Sequence, residues 1–249
     1  TRLITCGIFA AAMLMSCTSK QESGYIPAPE PTIEDGVMTP ETLLQLGRLS
    51  DPQLSPDGKK ILYGMSYNSI EQNRSCRNLF LCNTDGSERV QLTRYAKSVS
   101  NARWSKDGKS IIFIQGGQIW QAPLKGNKLG KKSRLSDVKT SVSEFSLSPD
   151  QSKIIYVSSI KNPNLQSPSD SDPALDKAQA YATEDLMYRH WDHWVSEIPR
   201  SYVAAFDGSE ITLDNSVDIL SSEGFYELPT EPFGGVEQLC WSPDSRYNA

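Results

Sequence analysis

Short apolar runs alternate along this chain with a recurring four-residue polar phrase. The runs at 61–65, 111–115 and 154–158 are rich in β-branched residues and too short for helices, so they predict β-strands. The phrase starts with serine, has aspartate third and usually proline second, which favours a type I turn between two strands. It occurs as Ser55-Pro56-Asp57-Gly58, Ser105-Lys106-Asp107-Gly108, Ser148-Pro149-Asp150-Gln151 and Ser242-Pro243-Asp244-Ser245.

A second set of turns follows these strand pairs, at 83–86, 124–127 and 206–209, and closing strands are predicted near Leu92, Leu135 and Leu220. Four strands per repeat is the architecture of a propeller blade. The leading serines of the phrases lie 50, 43 and 94 residues apart, and strand-built repeats of about forty residues are typical of propellers. The pattern therefore predicts an all-β fold, a partial β-propeller with four-stranded blades.

The repeat also predicts the domain organisation. Blades are expected at about 51–97, 98–140 and 141–222, with the start of a further blade at 235–249. Because propellers close with about four to eight blades, we expect 41–249 to be an incomplete propeller and the chain to be a fragment. The long third blade predicts an insertion at 161–200. Thr39 and Pro40 predict a short helix through Leu46, with threonine as its N-cap.

The first residues have the pattern of a secretory signal. Arg2 precedes an uncharged stretch at 3–16 that is too short to span a membrane. Residues 14–17 resemble the bacterial lipobox, which predicts a signal peptide with lipobox at 1–17 and lipidation of Cys17; the alternative is an ordinary signal peptide with an incidental cysteine. Residues 18–40, rich in Pro, Glu, Ser and Thr, predict a flexible tether. We expect an exported protein, periplasmic or a membrane-anchored lipoprotein of a Gram-negative bacterium, touching the membrane only through its lipid.

The charge and the cysteine content of the chain argue against nucleic acid as a partner and against a disulfide framework. The formal net charge is −5 and no basic cluster stands out in the sequence, so nucleic acid is not an expected partner. Of five cysteines, Cys76, Cys82 and Cys240 lie outside the signal. An odd number argues against a complete disulfide framework, and we expect buried or free thiols, with a bridge between Cys76 and Cys82 as the alternative. No cofactor is predicted, and no Cys-x-x-Cys metal spacing occurs.

The insertion carries the candidate binding residues. Residues 162–173 predict a loop and 174–187 a helix, which leads into an aromatic-rich segment at 188–194. An insertion of this kind on a regular scaffold is where binding function is commonly placed. The candidate substrate-binding residues are Glu184, Asp185, Arg189, Trp191, Asp192 and Trp194.

Each candidate also has a structural interpretation. The two tryptophans could pin the insertion to the blade, Arg189 and Asp192 could form a stabilising pair, and Glu184 with Asp185 could be a solvated acidic turn. His190 and His193, with Asp192 or Glu197, could in principle hold a metal, but no dedicated motif matches and no metal site is predicted.

Catalytic machinery is not recognisable in this sequence. Residues 64–68 have the first glycine and the serine of a Gly-x-Ser-x-Gly nucleophile elbow but lack its second glycine. The two histidines are not linked by any motif to a serine nucleophile. No catalytic residue is therefore predicted, and any chemistry is expected beyond residue 249.

Several segments together resemble the prolyl oligopeptidase family of serine peptidases, and within it the exported bacterial branch that includes dipeptidyl peptidases and acylaminoacyl peptidases. The turn phrase alone is shared with TolB-like and WD40-like propellers, whereas the opening segment and the aromatic stretch are more specific. The segments are Met38-Thr39-Pro40-Glu41, Leu46-Gly47-Arg48-Leu49-Ser50-Asp51-Pro52, the turn phrases and Leu186-Met187-Tyr188-Arg189-His190-Trp191-Asp192-His193-Trp194.

This resemblance implies an N-terminal propeller that gates access to a C-terminal α/β-hydrolase domain, whose Ser, Asp and His cleave short peptides through an acyl-enzyme. The implied partners are peptide substrates and that hydrolase domain. By analogy with related dipeptidyl peptidases, Glu184, Asp185 or Asp192 would bind the amino terminus of the substrate. The alternative is a noncatalytic periplasmic TolB-like propeller that binds protein partners, with a glycan-binding propeller as a third possibility.

Overall fold

The protein is described from a computed structural model, over residues 21–31, 33, 35–178, 180, 194–221, 235 and 238–248. Its described part is all-β, as predicted, with three antiparallel sheets that follow one another along the chain. The first sheet contains β1 (Arg48–Leu54), β2 (Lys60–Ser69), β3 (Arg74–Asn83) and β4 (Val90–Gln91). The second contains β5 (Val99–Trp104), β6 (Ser110–Gln115), β7 (Gln118–Lys125), β8 (Lys128–Leu129) and β9 (Ser133–Arg134). The third contains β10 (Glu144–Leu147), β11 (Lys153–Lys161), β12 (Glu197–Ala205) and β13 (Ser216–Asp218).

Each recurring phrase forms the same hydrogen-bonded turn. In the first turn the Ser55 hydroxyl donates to Asp57 Oδ1 at 2.6 Å and accepts from the backbone N–H of Lys60 at 2.9 Å. The same pair of bonds recurs at Ser105, Ser148 and Ser242. The serine hydrogen bond is the main cause of a lowered pKa at Asp57, Asp107 and Asp244. The serine and aspartate of the phrase therefore stabilise the turn that joins the first two strands of a blade.

Blade packing explains why β6 is apolar on both faces. Ile111 and Phe113 of this strand belong to a core shared with the first sheet, whereas Ile112 and Ile114 belong to a core shared with the third. Because successive side chains of a strand point to opposite faces, one strand can contribute to both cores. The second sheet is therefore packed between its two neighbours, as a propeller blade is.

Hydrogen bonds also join neighbouring blades near the recurring turns. Trp104 Nε1 donates to the carbonyl oxygen of Gln53 at 3.2 Å, and Trp241 Nε1 donates to that of Ser146 at 3.4 Å. Each tryptophan precedes a turn phrase, and each acceptor lies two residues before the phrase of the preceding blade. The segment 241–248 thus contacts the third sheet as the second sheet contacts the first.

The fourth residue of the turn phrase also contacts the preceding blade. Gln151 donates through Nε2 to the carbonyl of Trp104 at 3.0 Å and accepts from the backbone N–H of Lys106 at 2.7 Å. Ser245 accepts from the backbone N–H of Asp150 at 3.0 Å. Both residues have positive φ, 56° for Gln151 and 61° for Ser245, a region that glycine occupies with least strain. At these two positions a side-chain hydrogen bond to the preceding blade offsets the backbone strain that glycine would avoid.

The predicted helix before the first blade is confirmed as α1 (Pro40–Gln45), with the Thr39 hydroxyl accepting from the backbone N–H of Thr42 at 3.2 Å. The predicted flexible tether at 18–40 is wrong over residues 22–26, because Tyr25 and Ile26 are buried. The backbone N–H of Glu22 donates to the carbonyl of Arg94 at 3.0 Å. Composition alone predicted a free segment, but two buried apolar side chains and hydrogen bonds to Arg94 and Ala96 attach it to the first blade.

The two strand cysteines are unbridged, as expected. Cys76 and Cys82 both lie on β3 and are buried. Six residues of a regular strand separate their Cα atoms by about 20 Å, far beyond disulfide reach. Burial raises the pKa of the Cys76 thiol.

A charged cluster lies between the first and second sheets and is formed by side chains of β1, β3 and β5. Asp51 Oδ2 is 2.9 Å from Nη1 of Arg103 and 3.6 Å from Nη2 of Arg77. Arg77 reaches Asp51 from β3 by crossing β2 at Gly64, and a Cβ atom at Gly64 would lie 2.7 Å from Arg77 Cζ. Gly64 therefore makes room for the guanidinium. The sequence 64–68, considered above for a nucleophile elbow, lies inside β2.

We expect Gly64→Ala to lower the free energy of unfolding of the full-length protein by about 2 kcal/mol, because the methyl group displaces Arg77 from a largely buried pair with Asp51. The melting temperature would fall by about 4–8 °C, measured by differential scanning fluorimetry. In an Arg77→Met background the cost of Gly64→Ala should drop below about 0.5 kcal/mol. An undiminished cost in that background would contradict this explanation.

Candidate functional site

The insertion of the third blade leaves the sheet at a defined end. Because the strands alternate in direction, the turns at 55–59, 105–109 and 148–152 lie at one end of the blades, which we call the turn end. The connections at 70–73, 116–117 and 162–196 lie at the opposite end, which we call the insertion end. β11 and β12 pair as far as Lys161 and Glu197, so the segment between these strands is 162–196, slightly shorter than the insertion predicted at 161–200.

Asn162 holds the two ends of this segment together. Its backbone N–H donates to the carbonyl of Ser196 at 2.9 Å, and its Nδ2 donates to the carbonyl of Val195 at 2.7 Å. Its Oδ1 accepts from the backbone N–H of Asn164 at 3.0 Å. Asn162 is 2% exposed, and the apolar side chains of Leu165 and Val195 are buried as well. The insertion therefore leaves the blade from a packed and hydrogen-bonded base.

Arg200, a few residues after the base of the insertion on β12, forms an ion pair with Asp218 of β13. Arg200, on β12, is 2% exposed, and its Nε and Nη2 donate to Asp218 Oδ2 at 3.1 and 3.0 Å. Two residues further along, Tyr202 stacks on Tyr156 with ring centroids 5.4 Å apart. Arg200 thus links the strand that follows the insertion to the outer strand β13.

The first part of the insertion contains more helix than predicted. Residues 162–173 predict a loop, but Pro168–Ser171 forms the one-turn helix α2 and Pro173–Leu175 a 3₁₀ turn. The Asp170 carboxylate accepts from the backbone N–H of Ser167 at 2.8 Å, which supports the start of α2, and an exposed ion pair joins Lys161 to Asp170 at 2.7 Å. Proline at the first helical position and this capping aspartate explain the difference.

Among the candidate binding residues, Trp194 lies in the described part of the chain. It directly precedes Val195 at the base of the insertion and is 38% exposed. Five other candidates lie outside the described residues: Glu184, Asp185, Arg189, Trp191 and Asp192. The lipidation candidate Cys17, the histidines 190 and 193, and most of the helix predicted at 174–187 also lie outside them.

Sequence reasoning missed three residues that build the base of the insertion, namely Asn162, Arg200 and Asp218. A charged residue between apolar positions of a strand is a signal for a buried partner, and Arg200 lies between Ile198 and Tyr202 on the same strand. Within the described ranges, no group of three His, Cys, Asp or Glu side chains could hold a metal ion. The same ranges contain no helix of the length and apolar character needed to cross a bilayer.

Comparison with known proteins places these features in a family. The chain is 36% identical over 211 residues to the dipeptidyl-peptidase 5 of Porphyromonas gingivalis, a match that covers 84% of this chain and 30% of the relative. It is 31% identical over 217 residues to the dipeptidyl-peptidase 5 of Porphyromonas endodontalis, covering 86% of this chain and 30% of that one. These matches support the resemblance of the chain to peptidases of the prolyl oligopeptidase family.

The chain spans about 30% of the length of these curated relatives. No protein-family model matches the chain. Among solved structures, an acylaminoacyl peptidase in complex with Z-Gly-Gly-Phe-chloromethyl ketone matches with a TM-score of 0.50 at 18% identity, over 68% of this chain and 25% of that chain. At this identity the likeness supports the propeller-like fold alone.

Proposed function

We propose that this chain is the N-terminal propeller part of an exported serine exopeptidase of the prolyl oligopeptidase family, which releases dipeptides or acylated residues from short peptides. The observation that supports this most is the identity of 36% to a dipeptidyl peptidase over 84% of the chain. The catalytic serine, aspartate and histidine would belong to a C-terminal hydrolase domain, and the propeller would restrict access to it. A peptide substrate would meet the propeller at the insertion end.

The insertion is the proposed substrate-contacting part of the propeller. Its base is fixed by Asn162 and by the pair of Arg200 and Asp218, so the segment starts and ends at a defined place on the third blade. Glu184, Asp185 or Asp192 would meet the positively charged amino terminus of a peptide, and Arg189, Trp191 and Trp194 would complete the contact. A carboxylate paired with an ammonium group forms a charge-assisted hydrogen bond that distinguishes free from acylated amino termini.

We also propose that the protein is exported and that Cys17 becomes its lipidated first residue. The support is the uncharged stretch at 3–16 with its lipobox-like end. Under this proposal the membrane is reached through acyl chains on Cys17.

The full-length gene product, assayed with fluorogenic dipeptide substrates, is expected to release the fluorophore and to lose this activity after treatment with a serine-directed phosphonate. Matched substrates with a free and an acetylated amino terminus would separate dipeptidyl from acylaminoacyl release. No hydrolysis of either substrate would contradict the peptidase proposal and favour a noncatalytic propeller of the TolB-like kind.

A further inference from the structure

The N-terminal segment 22–26 is bound to the edge of the first blade at the insertion end. Glu22 is fixed twice, by its backbone N–H on the carbonyl of Arg94 at 3.0 Å and by its Oε2, which accepts from the backbone N–H of Ala96 at 2.9 Å. Tyr25 exchanges hydrogen bonds with Gln91 at 2.8–3.0 Å. Arg74 donates to the carbonyl oxygens of Gly24 and Ala96. The chain is thus attached to the propeller from residue 22 onward.

Glu22 lies at the rim of a basic cavity of about 570 Å³ between the first and second sheets, which we call the basic bowl. Its polar lining includes Lys97, Lys132 and Arg134. The Lys132 ammonium lies 4.5 Å from the ring centroids of both Tyr95 and Trp120 and donates to Gln115 Oε1. Its nearest partners are therefore two aromatic faces and a neutral amide, so its positive charge is compensated only in part, by Glu22.

The charged side chains that line the bowl carry a net positive charge, although the formal net charge of the protein is −5. Arg134 pairs with Asp137 outside the cavity, and Glu22 contributes the carboxylate of the rim. Burial lowers the pKa of Lys132, and the negative charge of Glu22 partly offsets this. A concave surface with three cations, of which among the described residues only Arg134 is ion-paired outside the cavity, and one carboxylate favours anions, phosphate groups above all.

The short stretch of chain before Glu22 limits how far the basic bowl can lie from a lipid on Cys17. Cys17 is five residues before Glu22, and a chain spans at most about 3.6 Å per residue, so their Cα atoms can be no more than about 18 Å apart. A free tether from Cys17 to Pro40 would instead reach about 80 Å. Because segment 22–26 is bound, a lipid on Cys17 would hold the rim of the bowl close to the membrane surface.

We propose that the basic bowl binds the anionic phosphate headgroups of the membrane to which Cys17 anchors the protein. The proposal rests on the proposed lipidation of Cys17 for its geometry, but the bowl itself consists of described residues. Electrostatic attraction to a membrane falls off within a Debye length of about 8–10 Å, so only cations held near the anchor can contribute.

The test uses the full-length protein expressed from residue 18, without lipid, and sedimentation with vesicles of phosphatidylcholine alone or mixed with phosphatidylglycerol. We expect binding only to the mixed vesicles, weakening as salt is raised. The double variant Lys97→Glu with Arg134→Glu should lose at least about tenfold in affinity. The control Lys125→Glu with Lys128→Glu changes the same charge at exposed lysines of the turn end and should lose less than about twofold.

Equal losses in the two double variants, or equal binding to both kinds of vesicle, would overturn the proposal. Displacement by inorganic phosphate beyond that caused by sodium chloride of equal ionic strength would indicate a site for soluble phosphate and would also overturn it. Lipidation of Cys17 is tested in a separate experiment, in which cells that express the protein are labelled with palmitate. No label on the protein would contradict lipidation without bearing on the vesicle assay. Neither result depends on the peptidase assay.

Discussion

Arg200→Met is expected to lower the free energy of unfolding of the full-length protein by about 3–5 kcal/mol, because it removes one partner of a buried ion pair and leaves the Asp218 carboxylate without its guanidinium. The melting temperature would fall by roughly 10 °C, measured by differential scanning fluorimetry. Since Arg200 lies at the base of the insertion, we also expect a higher KM for peptide substrates in material that is still folded at the assay temperature.

An exposed ion pair in the same region provides the matched control. Lys161 pairs with Asp170 at a similar distance, but both side chains are well exposed. Lys161→Met should therefore cost less than about 1 kcal/mol, because water solvates both groups when the pair is broken. Comparable losses in the Arg200 and Lys161 variants would show that burial is not what makes the Arg200 pair important.

Under the proposed peptidase function, the double variant Trp191→Ala with Asp192→Ala, made in the full-length protein, is expected to raise KM for dipeptide substrates by about tenfold or more while the melting temperature changes by less than about 2 °C. The reason is that a contact with substrate is lost, whereas the base of the insertion is kept by Asn162 and Arg200. Steady-state kinetics and thermal unfolding of the same preparation measure the two effects.

Asp170→Ala, elsewhere in the insertion, serves as the control and should leave KM within about twofold, because Asp170 forms only an exposed ion pair and a helix-capping contact. If the Trp191 and Asp192 variant lost stability and activity to the same degree, these residues would have the packing role that the sequence also allowed.

The features that the sequence predicted correctly depend on residues that are close together in the sequence. The turn at Ser55 follows from a hydroxyl, a carboxylate and a glycine within four positions, and the strands follow from short runs of β-branched residues. The cap of α1 by Thr39 is equally local. Spacing between turns then predicted the propeller-like fold, because a repeat of this length cannot bury its apolar faces without a neighbouring copy.

The features that the sequence did not predict depend on contacts between distant residues. The attachment of segment 22–26 joins Glu22 to Ala96, and its polar composition gave no indication of this contact. The pair of Arg200 and Asp218 and the bonds of Asn162 to Val195 likewise require the folded third sheet. The candidate substrate residues at 184–192 stay a prediction, since they lie outside the described part of the chain.

The contacts made by the fourth residue of three turn phrases show whether one blade could take the place of another. Gly108 lies against Pro56, whereas Gln151 and Ser245 bond to different groups of their own preceding blades. If a duplication moved the third turn into the place of the second, the long amide of Gln151 would meet the proline ring instead of a backbone N–H. The blades share one turn phrase, yet the fourth residue of each of these three turns fits one particular neighbour. A blade moved to another place in the propeller would therefore lose these contacts, so the blades are not interchangeable parts.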